Sequence, residues 1–471
     1  MDALSTLTVW GAAQQVTGSM HLLTLPDGYR ILVDCGFDME PDAEPTPGIF
    51  PFDPASIDVV LLTHAHVDHC GHLPNLVRMG FEGVVHCTYA TYELARLLLL
   101  DSANLNERDK RRFRGKTNPK LRGPLTYEGL FDHQEAEDAL NIFVTHEPDS
   151  TFSLSERVSV QFVTAGHLLG AVHIVITYPQ GDETRTIAFS GDVGRANYPL
   201  LRDPQPLPAV DYLVMETTYG NRSHRDTEDP RTVVERAIVK TCVEHPGRLI
   251  IPAFSVGRTQ ALLYTLNKLY REGRLPPIRI FADSPMALKS TRVYAKYVGD
   301  MNEQARAFAR EHDGLFDFDN LHYVRSFKQS REVNNYYEPC IIIASSGMVE
   351  GGRIGHHLQA NLHNPLATVF FIGYASEGTY GNRLLTGQVT LRQGNQDVPV
   401  SARIEATDVF SGHGDVRDLL RLVQQQDTTR LRRIFLVHGE ASTMEDFKQT
   451  LDHQGYGQVE VAKRGVTYVL S

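Results

Sequence analysis

The sequence predicts an α/β protein in which one domain interrupts another. Between residues 210 and 385, apolar runs lead into loops rich in Gly or Ser and then into helical stretches, as in "RLIIPAFSVGRTQALLYTLNKLY" (248–270). This alternation is typical of a parallel sheet with crossover helices. Shorter β-rich runs lie on either side, such as "YRILVDCG" (29–36) and "RIFLVHG" (433–439). Their similar style predicts one domain whose two parts flank the other.

The chain length and a proline-rich stretch indicate where the domains divide. A chain of 471 residues is too long for a single core. The stretch "LRDPQPLPAVD" (201–211) is a plausible crossing point, because clustered prolines favour connections over regular elements. We therefore expect a first domain over 1–208, an inserted domain over 209–385, and the rest of the first domain over 386–471.

The composition excludes several classes of protein. The formal net charge of −11 has the wrong sign for a protein that coats nucleic acid nonspecifically. No apolar run approaches the ~18 residues of a membrane helix, and the start "MDALSTLTVWGAA" lacks the features of a secretory signal. The five cysteines are scattered, odd in number and never in CxxC spacing, which disfavours disulfides and a thiolate zinc site. We expect a cytoplasmic protein without membrane association.

One segment is strongly basic. Residues 107–123, "ERDKRRFRGKTNPKLRG", contain eight Lys or Arg and two acidic residues. Such a run is most often a solvated loop or helix face. A patch that guides a polyanionic substrate is the alternative.

A dense cluster of metal-ligating residues follows an apolar run. "IDVVLLT" (57–63) predicts a buried strand, and the loop after it carries His64, His66, Asp68 and His69. Alternate loop residues can converge on one point, while the Asp-His pair turns towards a neighbouring point. Burying so many titratable groups without a metal would leave polar atoms that are costly to satisfy. The HxHxDH spacing therefore predicts a metal site.

Further candidate ligands share one context: an apolar strand before them and a glycine beside them. Taken singly, each is as consistent with a turn or capping residue as with a ligand. They are Asp34 in "ILVDCG", His167 in "TAGHLLGA", Asp192 in "FSGDVG", Glu216 in "METTYG", His413 in "VFSGHGD" and His438 in "FLVHGE".

These motifs together resemble a known family. HxHxDH with a downstream His and Asp is similar to the metallo-β-lactamase fold, and "ETTYG", "FSGHGD" and "LVHGE" resemble three motifs of its β-CASP subgroup of RNA-processing nucleases. The resemblance runs from "GAAQQVTGSMHLL" (11–23) to the last motif and covers nearly the whole chain. It implies an αββα sandwich interrupted by a β-CASP cap domain with a mainly parallel sheet.

The resemblance also implies a dinuclear metal site. One metal would be held by His64, His66 and His167, and the other by Asp68, His69 and His438. Asp192 would bridge the two metals together with a hydroxide, and Asp34 would orient a ligand loop without itself binding a metal strongly. Glu216 and His413 would pair, with His413 as general acid. These assignments follow from matching each residue of this chain to the corresponding motif position of the β-CASP family.

The chemistry of such a site suits phosphodiester hydrolysis. Imidazoles and carboxylates favour Zn²⁺, with Mn²⁺ and Fe²⁺ as alternatives. Two such ions lower the pKa of a shared water from ~15.7 to about 7. The expected charge of the site is +1, because two divalent ions contribute +4, the carboxylates of Asp68 and Asp192 contribute −2, and one hydroxide contributes −1. That local charge attracts a phosphate despite the acidic chain.

Two loops of the expected cap domain combine Ser, Thr and Gly with arginine. They are "SSGMVEGGR" (345–353) and "SEGTYGNR" (376–383). Such loops can donate amide, hydroxyl and guanidinium hydrogens to phosphate oxygens, although ordinary turns have the same composition. The candidate RNA phosphate-binding residues are Ser346, Arg353, Thr379 and Arg383.

The favoured function is a zinc-dependent ribonuclease that cuts single-stranded RNA as an endonuclease, with 5′-exonuclease action also compatible with the family. A DNA nuclease is the nearest rival. The large inserted domain disfavours hydrolysis of a small ester, lactam or thioester. The presence of a candidate residue at every ligand position disfavours a non-catalytic RNA-binding scaffold. A homodimer and partner proteins in RNA processing are also consistent with the resemblance.

Overall fold

A computed structural model of the chain describes residues 4–38, 50–113, 130–225, 228–375, 378–388, 390–393 and 396–471. Residues 114–123 of the basic segment 107–123 lie outside the described residues. The role of this segment therefore stays a prediction. Every helix in the described part of the chain is too short or too polar to span a bilayer.

The strands are distributed along the whole described chain. In chain order they are β1 (Ser5–Gly11), β2 (Met20–Thr24), β3 (Arg30–Val33), β4 (Val59–Leu61), β5 (Val84–Thr88), β6 (Phe143–His146), β7 (Thr151–Ser153), β8 (Ser159–Thr164), β9 (Val172–Gln180), β10 (Glu183–Phe189), β11 (Tyr212–Glu216), β12 (Arg248–Pro252), β13 (Arg279–Asp283), β14 (Leu321–Tyr323), β15 (Cys340–Ala344), β16 (Thr368–Phe371), β17 (Thr390–Gln393), β18 (Gln396–Pro399), β19 (Arg403–Ala406), β20 (Arg433–Val437), β21 (Val459–Val461) and β22 (Thr467–Leu470).

The helices connect or follow these strands. In chain order they are α1 (Val67–Cys70), α2 (Leu73–Arg78), α3 (Tyr89–Phe113), α4 (His133–Leu140), α5 (Pro230–Ile238), α6 (Arg258–Arg271), α7 (Pro285–Lys296), α8 (Glu303–His312), α9 (Phe327–Asn334), α10 (Ile354–Asn361), α11 (Tyr380–Leu385), α12 (Val416–Gln424) and α13 (Ala441–His453).

The chain forms two compact units. The first comprises Met1–Ala196, Asp203–Ser223 and His413–Ser471, and the second comprises Asn197–Arg202 and His224–Gly412. The first unit is thus built from separate parts of the chain, as expected for an interrupted domain. The boundaries expected after residues 208 and 385 stay predictions.

The first unit contains two mixed sheets of seven strands each. Their spatial orders are β22-β1-β2-β3-β4-β5-β6 and β21-β20-β11-β10-β9-β8-β7. Apolar side chains from both sheets form one core, including Leu7 and Ile31 from the first sheet and Phe162, Ile174 and Phe435 from the second, all fully buried. A buried side chain of this size contributes roughly 1.5–3 kcal/mol.

Helices cover the second sheet's other face. Leu419 of α12 and Phe447 of α13 join strand residues such as Leu213 and Leu436 in a second buried cluster. On the first sheet, α3 packs against β5, β6 and α4. The layers are therefore helix, sheet, sheet and helix, which confirms the predicted sandwich.

The second unit contains a six-stranded sheet in the order β14-β13-β15-β12-β16-β19. Every strand pair in it is parallel. Its central strands read as continuous apolar runs, such as "CIIIA" in β15, because they are buried on both faces. The predicted mainly parallel sheet is confirmed.

Candidate metal centre

The HxHxDH residues lie in the loop after β4 and in the short helix α1. His64 and His66 precede the helix, while Asp68 and His69 belong to its single turn. The loop packs closely against Gly36, where an added Cβ would lie 1.6 Å from the carbonyl oxygen of Asp68. Glycine is therefore required at position 36 for the loop to sit where it does.

The other candidate ligands lie at or just after strand ends of the first unit. Asp34 follows β3, His167 follows β8, Asp192 follows β10, Glu216 ends β11, His438 follows β20, and His413 precedes α12. The fold thus brings together residues that are up to about 400 positions apart in the chain.

A first group of nitrogens surrounds one point. Nδ1 of His66 lies 3.1 Å from Nε2 of His64 and 3.2 Å from Nε2 of His167. The Oδ2 atom of Asp192 is 3.4 Å from Nε2 of both His64 and His167. These four side chains offer atoms close enough together to hold one metal ion.

A second group adjoins it. Nε2 of His438 lies 3.4 Å from Nε2 of His69 and 3.7 Å from Oδ2 of Asp68. The Oδ1 atom of Asp192 is 3.3 Å from Nε2 of His69 and 3.6 Å from that of His438. Asp68, His69 and His438 could hold a second ion. The two oxygens of Asp192 therefore face different groups.

Asp192 is charged despite its burial. Burial alone raises the pKa of its carboxyl, but the surrounding imidazoles, His438 foremost, hold that pKa well below its ordinary value. In contrast, burial lowers the pKa of His66 to about 4 and that of His64 well below its usual range. The carboxylate of Asp192 is thus ionised beside the neutral imidazoles of His64 and His66, the forms that bind divalent metals.

Hydrogen bonds to Thr63 and Asp34 fix the outward nitrogens of His64 and His69. The Thr63 hydroxyl donates to Oδ2 of Asp34 (2.8 Å), so it accepts from Nδ1 of His64 (3.1 Å). Nδ1 of His69 donates to the same Asp34 oxygen (2.7 Å). Nδ1 is therefore the protonated nitrogen of His64, and its Nε2 carries a lone pair towards the centre.

His69 differs from His64 because it lies between two carboxylates. Burial lowers its pKa, but Asp192 and Asp34 outweigh this and raise the pKa well above the ordinary value. A proton on Nε2 of His69 therefore occupies the place of a cation, and metal binding would release it. The inward-facing nitrogens and carboxylates fit two divalent ions, since facing lone pairs repel one another unless a cation lies among them.

Glu216 and His413 form a pair beside this centre. Oε1 of Glu216 accepts from the Val193 amide (2.6 Å) and lies 3.1 Å from Nδ1 of His413. Oε2 of Glu216 accepts from the Thr218 amide (3.2 Å). Glu216 is fully buried, while the His413 side chain is 18% exposed. The carboxylate is fixed and orients a partly accessible ring, which lies 4.5 Å from the His167 ring.

Several supporting residues escaped the sequence analysis. Thr63 contacts two predicted residues, Asp34 and His64, and its signal was its place directly before the HxHxDH motif. His173, in the apolar strand β9, directs Nδ1 at the Ser190 carbonyl oxygen (2.5 Å), and the Ser190 hydroxyl accepts from the Glu216 amide (2.9 Å). A single histidine inside an apolar strand gave no signal for this support.

Thr218 also escaped prediction, although it follows Glu216 closely in "ETTYG". Its hydroxyl donates to the His438 carbonyl oxygen (3.2 Å) and therefore accepts from Nδ1 of His438 (3.1 Å). His438 has φ of 52°, a left-handed conformation that L residues rarely adopt. Thr218 thus holds both the backbone and the ring of His438.

Replacing Thr218 with Val should weaken metal binding about 10- to 100-fold, the usual effect of removing an outer partner of a ligating histidine. The hydroxyl is lost while the shape is kept. Affinity would be measured by competition with a chromophoric chelator. Thr218→Ser should bind metal like the parent protein, and equal losses in both variants would contradict this role.

The four candidate phosphate-binding residues lie in the second unit. Ser346 donates to the Glu350 carbonyl oxygen (3.2 Å), and Thr379 caps α11 by accepting from the Asn382 amide (3.3 Å). Arg383 is exposed and stacks near the Tyr380 ring. Their role stays a prediction.

Arg353, the fourth of these residues, is largely enclosed. Its guanidinium forms an ion pair with the fully buried Asp283, and the Arg353 side chain is 15% exposed. It also donates to the backbone oxygens of Val324 (3.2 Å) and Arg325 (3.3 Å). These contacts make it a support of the Val324–Arg325 segment.

Comparison with known proteins identifies the family. Residues 14–233 match the metallo-beta-lactamase superfamily, 259–384 the Beta-Casp domain, and 397–462 the Zn-dependent metallo-hydrolase RNA specificity domain. Ribonuclease TTHA0252 of Thermus thermophilus is 34% identical over 97% of this chain and 98% of its own length. The chain belongs to the β-CASP family of metallo-β-lactamase hydrolases. The predicted family is thus confirmed.

Other family members are more distant. Transcription termination factor FttA of Methanosarcina mazei is 29% identical over 98% of this chain and 70% of its own length. An RNase J-like protein of Methanocaldococcus jannaschii is 27% identical over 94% of both chains. Family membership implies binding of divalent metal, in accord with the clustered His and Asp side chains.

Proposed function

We propose that this chain is a metal-dependent ribonuclease that hydrolyses phosphodiester bonds of single-stranded RNA. The observation that carries the proposal is the position of Asp192, whose two oxygens face two separate imidazole groups. The 34% identity to a ribonuclease over nearly the full length of both chains supports RNA as the substrate.

The residues would divide between two ions. His64, His66 and His167 would hold one, Asp68, His69 and His438 would hold the other, and Asp192 would contact both. The imidazole-rich donor set favours Zn²⁺, with Mn²⁺ or Fe²⁺ as alternatives. When bound, two such ions lower the pKa of a shared water to about 7 and offset the charge of the phosphate.

The Glu216–His413 pair would handle the proton of the leaving group. Charge develops on the leaving oxygen as its bond to phosphorus breaks, and a positioned acid can neutralise it. His413 is partly exposed and its Nδ1 lies 3.1 Å from a buried carboxylate that favours the protonated ring. Glu216 would therefore orient and stabilise the cationic form of His413, which donates the proton.

Incubation of the purified protein with 5′-labelled RNA and matched DNA, with and without a chelator, tests the proposal. We expect cleavage of the RNA that stops when the chelator is added. Internal fragments would indicate endonuclease action, and mononucleotides released first from the labelled end would indicate 5′-exonuclease action. Cleavage of DNA alone, or RNA cleavage unaffected by the chelator, would contradict the proposal.

A further inference from the structure

An exposed aromatic ring surrounded by basic residues lies at the start of α9 in the second unit. Phe327 is 55% exposed, and it is the only exposed phenylalanine among the side chains that the structure describes. Arg325, Lys328 and Arg331 are exposed beside it in the sequence "RSFKQSR". Together with the half-buried His356, these residues form what we term the α9 surface.

The cations of the α9 surface are not neutralised by the protein. Within the described part of the chain, none of Arg325, Lys328 and Arg331 forms an ion pair. Other exposed arginines of the same unit do, such as Arg310 with Glu303 and Arg236 with Glu228. Between residues 325 and 334 the sequence contains a single carboxylate, at position 332. The surface is therefore locally positive on an acidic protein.

Two side chains lie beside the ring of Phe327. The guanidinium carbon of Arg331 lies 5.5 Å from the ring centroid, within the range of a cation–π contact. The His356 ring lies 5.6 Å away at an angle of 43°. Exposed aromatic rings flanked by arginine are the recurrent means of binding unpaired bases, because every base offers a flat face.

Hydrogen bonds hold the backbone beneath this surface. The Ser326 hydroxyl accepts from the Gln329 amide (3.2 Å), and the Gln329 side chain accepts from the Ser326 amide (3.1 Å), which fixes the first turn of α9. Arg353, tied to buried Asp283, donates to the Arg325 carbonyl oxygen (3.3 Å). The backbone that carries the ring and the cations is thus connected through Arg353 to the buried Asp283.

We propose that the α9 surface binds a segment of single-stranded RNA, with one base stacked on Phe327 and phosphates bound by Arg325, Lys328 and Arg331. This inference rests on the proposed function and adds a substrate-binding surface to it. Charge complementarity favours a nucleic acid strand, and the exposed ring favours unpaired bases over a duplex, whose bases are already stacked.

Binding of a fluorescein-labelled oligouridylate to the metal-loaded protein, followed by stopped-flow anisotropy before cleavage, tests the proposal. Phe327→Ala should raise Kd at least about 5-fold, the lower end of the effect of losing one stacked base. The triple variant R325Q/K328Q/R331Q should weaken binding and lower the slope of log Kd against log salt by about 2, since each phosphate contact contributes ~0.7.

A matched control removes the same charge elsewhere in the second unit. The variant R236Q/R306Q/R310Q also loses three exposed arginines, each of which is ion-paired in the parent protein. It should bind RNA like the parent. An unchanged Kd for RNA in both α9 variants would overturn the proposal, and this is the result expected if the surface binds an acidic protein instead. An equal loss of RNA affinity in the control variant would also overturn it.

The same variants separate this proposal from the proposed function. Hydrolysis of bis(p-nitrophenyl) phosphate, which is too small to need a separate binding surface, should be unchanged in the α9 variants. If the parent protein binds RNA through the α9 surface but cleaves none, the ribonuclease proposal fails and the binding surface stands. If the parent protein cleaves RNA and the α9 variants bind RNA like the parent, the proposed α9 binding surface fails and the ribonuclease proposal stands.

Discussion

Replacing Asp192 with Ala is expected to reduce RNA cleavage to the uncatalysed background. Among the described residues, Asp192 is the single carboxylate placed within 3.3–3.6 Å of nitrogens from both imidazole groups. Without it, neighbouring imidazoles lose their negative partner and two cations would face each other without a shared counter-charge. Cleavage would be followed with 5′-labelled RNA.

Asp211→Asn provides the control for a buried carboxylate. Asp211 is 5% exposed in the same unit and accepts hydrogen bonds from Thr186, yet it lies outside both metal-binding groups. This variant should lose some stability and keep its activity. If Asp192→Ala cleaved RNA at the parental rate, no bridging role for Asp192 would remain.

The second large effect is expected for His413→Ala. Loss of a general acid usually slows a reaction by ~10²–10⁴-fold, and kcat should fall by this factor while metal content stays at the parental level. The reason is the position of His413. Its ring is held by Glu216 and lies outside the two groups in which several imidazoles converge. The third set of neighbouring ligand atoms, from Asp192, Glu216 and His413, contains only one imidazole. Single-turnover cleavage and metal analysis would be measured on the same preparation.

A control for His413 comes from another partly buried histidine of the first unit. His146 contacts His86 and stacks on Phe152, and it lies outside the metal-binding groups. His146→Ala should retain full kcat. An active His413→Ala variant would remove His413 from the mechanism, and a variant that lost its metal would make His413 a ligand instead.

The local part of the centre could be predicted from the residues alone, since His64, His66, Asp68 and His69 lie within six positions of one another. The distant residues each had the same strand-end context as an ordinary turn residue. Only the resemblance to the β-CASP family grouped them, because the strand order that brings their loops together leaves no periodic signal in the sequence.

The supporting residues could not be predicted, for a physical reason. The role of Thr218 depends on the left-handed backbone of His438, more than 200 positions away, and that of His173 on the carbonyl of Ser190. Hydroxyl and imidazole groups in apolar strands look like ordinary core residues until the fold places their partners. Arg353 lies in a loop whose composition is typical both of a phosphate site and of an ordinary turn, and the pairing of its guanidinium with the distant, buried Asp283 could not be predicted from that loop.

The fold was more accessible than the site. Runs such as "CIIIA" predict a strand buried on both faces, and hence a parallel sheet covered by helices. The pairing of two seven-stranded sheets around one core was inferred from the family, because mixed sheets with short strands produce no distinctive pattern. The order of strands within each sheet could not be predicted, because it depends on tertiary packing between segments that are distant in the sequence.

The most direct test is the number of divalent ions bound per chain, measured by elemental mass spectrometry after equilibration with zinc and removal of the excess. The parent protein should retain two ions and Asp192→Ala fewer than two. A parent protein that retains none, or an Asp192→Ala variant that retains both, would contradict a centre in which Asp192 joins two metal ions.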